Sequence, residues 1–300
     1  MTLELQTIGI LMPGDMGHAC GAVLKKNGFR VITALNGRTH RTKSLAAEAA
    51  IDDVGDLKAV VKQSDLILSI LPPQHAYNLA KKVSIIMRDI SRYPDFVDCN
   101  AISPATVNNI AQQFDNIPTR FIDGSIIGLN PIKENERTRL YVSGDKLDLI
   151  SQIDGRGLVV KAVGSEIGQA SSLKMLYAGA TKGAFSLFAA VGLMAELAGL
   201  KEELFSEFKF SKPDVLKSIN YMIPRIPVDA ARWIPEMEEI SATYKQYGMT
   251  AKFHEGAKEL MEIALNTPLS AETRETLPND FDINEALEMY KDAFLDLKSR

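Results

Sequence analysis

The segment TIGILMPGDMGHACGAVLKKNGFRVITAL, Thr7–Leu35, decides the fold. Its first apolar run, Thr7–Met12, is followed by the small-residue turn PGDMG at residues 13–17. Apolar residues at helical spacing continue to Gly28, a typical helix-ending glycine, and Arg30–Leu35 is a second apolar run. This order of strand, turn, helix and strand predicts a βαβ unit, the parallel crossover of a doubly wound sheet.

The alternation of strand and helix patterns continues for about 160 residues. Further strands are predicted at Asp65–Leu71, Asp95–Cys99, Arg120–Asp123, Leu140–Ser143 and Leu158–Val163. The rest of the chain has helical patterns, which we expect to be divided into short helices at Pro213, Pro224, Pro227 and Pro235. The predicted fold is an α/β Rossmann, doubly wound N-terminal domain, residues 1–164, followed by an all-helical C-terminal domain, residues 165–300.

The longest apolar segment is Gly164–Leu200, which has no proline and predicts one helix of roughly 30 residues. It is apolar all round from Ala184 to Leu197, which predicts burial by a second domain, a partner subunit or both. Lys174, Lys182 and small residues throughout argue against a membrane span. We expect this helix to join the two domains and to present Lys174 to a cleft between them.

Composition excludes several classes of function. Hydrophobic residues make up 46% and charged residues 24% of the chain, and the net charge of −4 does not favour nucleic acid or anionic lipid as a partner. Cys20 and Cys99 have no metal-ligand spacing, and the four histidines are scattered, so we predict reduced core cysteines and no metal. The N-terminus lacks a basic region before its apolar run, which predicts no signal peptide and a cytoplasmic protein.

The turn at residues 13–17 is a candidate phosphate cradle, formed by Pro13, Gly14, Asp15, Met16 and Gly17. Small residues between a strand and a helix let backbone N–H groups approach a pyrophosphate. Met12 occupies the first glycine position of G-x-G-x-x-G, so the motif is incomplete, but its place in a βαβ unit predicts dinucleotide binding. The alternative is a purely structural glycine turn.

The end of the second strand indicates which dinucleotide is bound. NAD-selective chains carry an acid there, whereas this chain has Asn36, Arg38, Thr39 and Arg41 and no carboxylate before Glu48. Arginines beside a hydroxyl suit the 2′-phosphate of NADP, which we prefer to NAD as the cofactor. The alternative is a solvated basic helix start.

Five segments in order resemble one family: IGILMPGDMG, DLILSILPP, DCNAISP, FIDGSIIG and IGQASSLKMLYAG. They are similar to motifs of the β-hydroxyacid dehydrogenase and 6-phosphogluconate dehydrogenase superfamily, closest in style to a less characterised branch. The resemblance implies further cofactor-binding residues, namely Leu71, Pro72, Asn100 and Ala101. It also implies substrate-binding residues, namely Ser125, Ile126, Ile127 and Gly128, with Tyr177 and Trp233 from the helical domain.

The resemblance further implies that Lys174 is the general acid/base of a hydride-transfer reaction. An ammonium group desolvated on an apolar helix loses affinity for its proton, which suits this role; the alternative is a lysine at a domain edge. The family asparagine four residues later is Ala178, and Thr181 is the candidate replacement. Ile127 and Leu129 replace a serine and a glycine of the substrate motif, and Arg137 and Arg139 are weaker candidates for contact with an acidic substrate.

These observations predict an NADP-dependent oxidoreductase that transfers hydride between the nicotinamide and a small hydroxyacid or its carbonyl product. The helical domain is expected to bind substrate and to form a homodimer. Two alternatives stay open at this point: a carbonyl or imine reductase on the same scaffold, and a non-catalytic NADP(H)-binding sensor.

Overall fold

The computed structural model describes residues 4–134 and 138–299. The chain divides into two compact units, Met1–Met175 and Leu176–Arg300. The first contains the sheet and the second is helical among its described residues.

The sheet of the first unit has eight strands in the order β3-β2-β1-β4-β5-β6-β7-β8. The strands are β1 (Thr7–Leu11), β2 (Arg30–Thr33), β3 (Asp52–Asp53), β4 (Leu66–Ser69), β5 (Asp95–Asp98), β6 (Phe121–Ile127), β7 (Arg139–Ser143) and β8 (Val159–Gly164). β1 to β6 are parallel, β7 is antiparallel to β6, and β8 is parallel to β7. The predicted doubly wound Rossmann sheet is confirmed, and the reversed pair β7–β8 extends it at one edge.

Six helices of the first unit are described, and three of them begin at a short polar side chain that caps them. The six are α1 (Asp15–Lys26), α2 (His40–Glu48), α3 (Leu57–Gln63), α4 (Pro73–Ile90), α5 (Pro104–Ala111) and α6 (Pro131–Glu134). Side-chain oxygens of Thr39, Asp56 and Ser103 accept backbone N–H bonds from the first turns of α2, α3 and α5. These bonds satisfy donors that a helix start leaves unpaired.

Apolar cores cover both faces of this sheet. In β4, Leu66 and Leu68 pack in one core while Ile67 packs in the other, and all three are at most 1% exposed. Successive strand side chains point to opposite faces, so a strand buried on both sides must be apolar throughout. This is why the continuous apolar runs predicted the strands correctly.

The predicted long helix is confirmed as α7 (Gln169–Ala198). Its residues up to Met175 belong to the first unit and those from Leu176 onward to the second. By length and composition α7 is the one described helix that would pass as a membrane span, a test that core helices of soluble proteins also pass. Only 39% of the most apolar stretch of α7 is buried, so the helix has an exposed apolar surface.

The second unit continues with α8 (Lys201–Ser211), α9 (Pro213–Met222), α10 (Ile226–Gln246), α11 (Lys252–Leu265) and α12 (Ile283–Ser299). Pro213 and Pro227 lie in first turns, as expected. The expected break at Pro235 is wrong, because this proline lies inside α10. A proline inside a helix costs about 3 kcal/mol, and the buried side chains of Trp233 and Met237 on either side of it hold α10 in its packed position.

Candidate functional site

The β1–α1 turn has the geometry of a phosphate cradle. Met12 has a φ of 66°, the left-handed conformation that glycine adopts most easily, and the N–H of Gly14 donates to its carbonyl oxygen at 2.8 Å. A Cβ on Gly14 would meet no atom within 4 Å, so the backbone there is open to a ligand. A Cβ on Gly17 would lie 2.5 Å from the Met12 oxygen, so this glycine is required for close packing of α1 on β1.

The other predicted residues of this turn differ in exposure. Pro13 is buried, Met16 packs partly against the core, and Asp15 is exposed at the first turn of α1. Asp15 forms an ion pair with Arg41 across the start of α2. Both side chains are mostly exposed, so the pair adds little stability.

Arg38 lies beside the cradle. Its Nη1 donates to the sulfur of Met12 at 3.2 Å, and its buried Nε atom has no hydrogen-bond partner among the described residues. A thioether is a weak acceptor, so this guanidinium retains strong donor capacity. Asn36 is exposed nearby, and the Thr39 hydroxyl accepts the Thr42 N–H at 3.2 Å as the cap of α2. The structure therefore brings the predicted phosphate turn and the predicted basic residue together.

The order of the strands reverses between β1 and β4, and ligands of doubly wound folds bind outside the carboxyl ends of strands at such a point. Leu71 and Pro72 follow β4, while Asn100 and Ala101 follow β5. Asn100 is only 2% exposed. Its Oδ1 accepts the Leu71 N–H at 2.7 Å, and its Nδ2 donates to Ser69 at 3.2 Å and to Asp98 at 3.0 Å. Both Nδ2 hydrogens are thus used inside the protein, and Asn100 holds the Leu71 loop in place.

Sequence reasoning missed two buried carboxyl groups on neighbouring strands, Asp98 of β5 and Asp123 of β6, which are register partners. Burial raises the pKa of Asp98 to about 7, against the lowering effect of hydrogen bonds from Asn100. Burial also raises the pKa of Asp123, against bonds from Ser171, Ser143 and Gly168. The available signal was an acid within or at the end of a buried strand, where a carboxyl group is rarely found without partners.

The substrate residues implied by the resemblance lie on β6. Ser125, Ile126 and Ile127 are at most 7% exposed, and the Ser125 hydroxyl has no hydrogen-bond partner among the described residues. Gly128 has a φ of 133° and is exposed where the strand ends. The Nζ of Lys174 donates to the carbonyl oxygen of Ile126 at 2.7 Å. The structure therefore brings the predicted acid/base to the predicted substrate strand, within the first unit.

The remaining candidates belong to the second unit. Tyr177 is 49% exposed, and the Thr181 hydroxyl donates to its carbonyl oxygen at 2.9 Å. Trp233 is buried beside an ion pair of Lys182 with Glu236, and Lys182 Nζ lies 5.3 Å from the centroid of the indole ring. The indole N–H of Trp233 is buried without a hydrogen-bond partner among the described residues. Trp233 is thus a packed side chain next to a charged pair.

No group of three potential ligands able to hold a metal ion occurs in residues 4–134 or 138–299. Cys20 and Cys99 are buried and not bonded to each other, and burial raises the pKa of the Cys20 thiol to about 12. A thiol with so high a pKa is a poor nucleophile. Arg137 lies outside the described residues, and Arg139 begins β7.

The fold and the cradle define a dinucleotide-binding protein of the Rossmann class. Residues 7–151 match the family model of the NAD-binding domain of 6-phosphogluconate dehydrogenase, and residues 195–263 match a domain of unknown function. An uncharacterised 28.5 kDa protein of Methanothermus fervidus is 30% identical over 197 residues, 66% of this chain and 74% of that one. The chain belongs to the family of 6-phosphogluconate dehydrogenase-like proteins, and its first unit is an NAD(P)-binding domain of the dehydrogenase type.

Solved structures agree with this fold. A conserved hypothetical protein of Sinorhizobium meliloti 1021 has a TM-score of 0.70 at 21% identity, with 97% of this chain and 98% of that chain covered. The 3-hydroxyisobutyrate dehydrogenase of Mycobacterium tuberculosis, in a structure with L-serine, has a TM-score of 0.67 at 16% identity, with 95% and 98% covered. At these identities the likeness shows the fold.

Proposed function

We propose that the protein is a cytoplasmic, NADP-dependent oxidoreductase of the β-hydroxyacid dehydrogenase type, which interconverts a small hydroxyacid and its carbonyl product. The observation that carries the proposal is the bond from Lys174 Nζ to the Ile126 carbonyl. This bond holds an ammonium group against β6, in the same sheet as β1, which leads into the phosphate cradle.

The cofactor fits the residues of the cradle. The open backbone at Gly14 would receive the pyrophosphate, and Arg38 would bind the 2′-phosphate through donors that now contact only a thioether or no partner. Arg41 and Thr39 contribute less, because one is paired with Asp15 and the other caps α2. When bound, NADPH supplies the hydride for carbonyl reduction.

Lys174 handles the proton of the reaction. Its ammonium group donates a proton to the substrate oxygen during reduction, and its neutral amine accepts one during oxidation. The Ile126 carbonyl accepts one bond from Nζ, and an ammonium group has three N–H donors, so this bond orients the group without using all of its donors. Ile127 and Leu129 make this strand end apolar, which favours an aldehyde or ketone substrate of low polarity as the alternative within the same chemistry.

The partner that we propose is a second copy of the chain, bound through the exposed face of α7. Apolar or small residues recur along this side of α7 at alternating spacings of four and three, all of them exposed except the half-buried Gly183: Leu176, Ala180, Gly183, Leu187, Ala190, Met194 and Leu197. Leu187 and Met194 are 63% and 62% exposed. Such a heptad stripe packs well against a second helix, and in an antiparallel pair Leu187 would meet its own copy while Ala180 faced Met194.

The test of function is NADPH-linked turnover across hydroxyacids, aldehydes, ketones and imines, with wild type beside Lys174→Ala. We expect turnover in wild type and a loss of about 10²- to 10⁴-fold in the variant, with NADPH affinity unchanged. Lys161→Ala, at an exposed lysine on β8, is the matched control and should keep full activity. Turnover that survives in Lys174→Ala would mean that this lysine takes no part in the reaction. If wild type and both variants bind NADPH but turn over no substrate, the result would favour a non-catalytic NADP(H)-binding sensor.

The cofactor preference has its own test, which compares the Kd values of NADPH and NADH. Losing a charge-assisted bond costs about 1.5–3 kcal/mol, so Arg38→Ala should reduce the preference for NADPH by roughly 10- to 150-fold. Arg30→Ala, at the opposite end of β2, is the control. An unchanged ratio in Arg38→Ala would contradict the assigned role of Arg38.

A further inference from the structure

A buried carboxylate outside the proposed reacting groups receives an unusual number of hydrogen bonds. Asp123 Oδ2 accepts the N–H of Gly168 at 2.9 Å, the N–H of Ser171 at 3.0 Å and the hydroxyl of Ser143 at 3.1 Å. Its Oδ1 accepts the Ser171 hydroxyl at 2.6 Å. Asp123 is 0% exposed, so its charge is balanced by these donors rather than by water.

All of these donors surround the start of α7. The first N–H groups of a helix have no partner within it, and the positive end of the helix dipole favours a negative charge. Asp123 supplies both the acceptors and the charge. The Ser143 hydroxyl, while donating to Asp123, accepts the N–H of Ala170 at 3.1 Å. The beginning of α7 is thereby attached to two strands of the sheet, β6 and β7.

Lys174 lies one turn beyond Ser171 on the same helix, at a spacing that places neighbours on one face. Its Nζ bonds to Ile126, and Ile126 lies on the strand that also carries Asp123. α7 is thus attached to β6 at two points, by the Asp123 carboxylate at its first turn and by the lysine one turn later. The first attachment determines where the Lys174 Cα lies, and hence where its ammonium group can reach.

We infer that Asp123 is a positioning residue for Lys174: it fixes the first turn of α7 on β6 and so aligns the ammonium group with the end of that strand. The inference rests on the proposed function, in which Lys174 is the acid/base. Asparagine is the informative substitution, because it keeps the shape but has one acceptor oxygen. Its NH₂ group is a donor, so it cannot accept the hydrogen bonds that one of the two carboxylate oxygens accepts in wild type.

The experiment compares wild type, Asp123→Asn and Asp65→Asn in two assays. Asp65 also accepts two backbone bonds, from Gln6 and Thr7, but it lies immediately before β4, at the amino end of that strand, so it controls for the loss of a carboxylate that accepts backbone bonds. The first assay is the rate of lysine acylation by a small ester, followed for the Lys174 peptide by mass spectrometry. In Asp123→Asn we expect this rate to rise at least about threefold, since the first turn opens more often, while other lysines and the Asp65→Asn protein keep wild-type rates.

The second assay is steady-state turnover with NADPH. A misplaced acid/base costs about 10²-fold in kcat, so we expect a drop of this order in Asp123→Asn with the KM for NADPH changed less than about twofold. If wild type turns over no substrate, the proposed function fails while the acylation assay still tests the position of Lys174.

Acylation of Lys174 at the wild-type rate in folded Asp123→Asn would overturn the inference. If Asp123→Asn does not fold, Ser171→Ala replaces it, because this change removes the shortest bond to Asp123 and leaves the carboxylate in place. The same rise in Lys174 acylation is then expected, at smaller size, and its absence would equally overturn the inference.

Discussion

The buried acid Asp98 makes the stability of the first unit depend on pH in a predictable way. Its pKa is raised from 3.8 to about 7 by burial, so between these values the folded state holds a proton that the unfolded state has released. Stability therefore falls as pH rises through this window, by about 1.4 kcal/mol per pH unit. From about pH 5 to about pH 7, two pH units, the unfolding free energy should fall by about 3 kcal/mol. Above the folded pKa of Asp98 there is no further loss.

The perturbation that isolates this effect is Asp98→Asn, which removes the titrating group. We expect the difference in unfolding free energy, wild type minus variant, to be about 3 kcal/mol larger at about pH 5 than at about pH 8. Native-state hydrogen exchange of the peptides that cover β5 and β6 measures this free energy for the first unit alone, after correction for intrinsic exchange rates.

The matched control is Ser69→Ala, because Ser69 belongs to the same hydrogen-bond network through Asn100 but does not titrate. Its difference from wild type should be the same at both pH values. A pH-independent difference for Asp98→Asn would refute the reasoning, since it would mean that Asp98 is ionised in the folded state throughout this range.

Three further predictions concern single positions. Gly14→Ala should leave stability unchanged but weaken NADPH binding, because a Cβ at Gly14 meets no protein atom within 4 Å. Gly17→Ala should lower the thermal midpoint, because its Cβ would lie 2.5 Å from the Met12 backbone oxygen. Thermal unfolding and an NADPH titration of both variants distinguish the two effects. Burial lowers the pKa of His254, so the second unit should lose stability as pH falls below about 6.5. The loss should be smaller in His254→Gln, and urea unfolding followed through Trp233 fluorescence measures it. Leu187→Glu should convert a dimer to a monomer in sedimentation experiments while Leu295→Glu, at an exposed leucine of α12, does not; a monomeric wild type would contradict the proposed interface.

The parts of the fold that follow from local chemistry could be predicted from the sequence. The βαβ unit at Thr7–Leu35 combines a glycine turn with two continuous apolar runs. Such runs are typical of strands that are buried on both faces of a parallel sheet. The long α7 follows from its length and its lack of proline. The direction of β7 could not be predicted, because a strand of five residues contains no signal for which neighbour it will pair with or which way it will run.

Long-range contacts limit what the sequence reveals about the site. Ser171 and Asp123 are 48 residues apart in the chain, so no local pattern links them. The expected contact of Asn100 with the cofactor stays a prediction, whereas its bonds to Leu71 and Asp98 became visible only in the folded structure. The sequence indicated Lys174 through a motif, whereas the groups that hold its helix in place became visible only once β6 and α7 were packed together.

Met12 bears on how nucleotide-binding loops are found in sequences. Searches for such loops look for glycine at this position, yet here a methionine adopts the left-handed backbone that glycine would provide, at a cost of roughly 1–2 kcal/mol. Its sulfur in return contacts Arg38 at the edge of the cradle. A family member can therefore lose the signature residue while keeping the backbone path, and a substitution at a hallmark glycine is by itself no reason to discard a chain as a cofactor-binding protein.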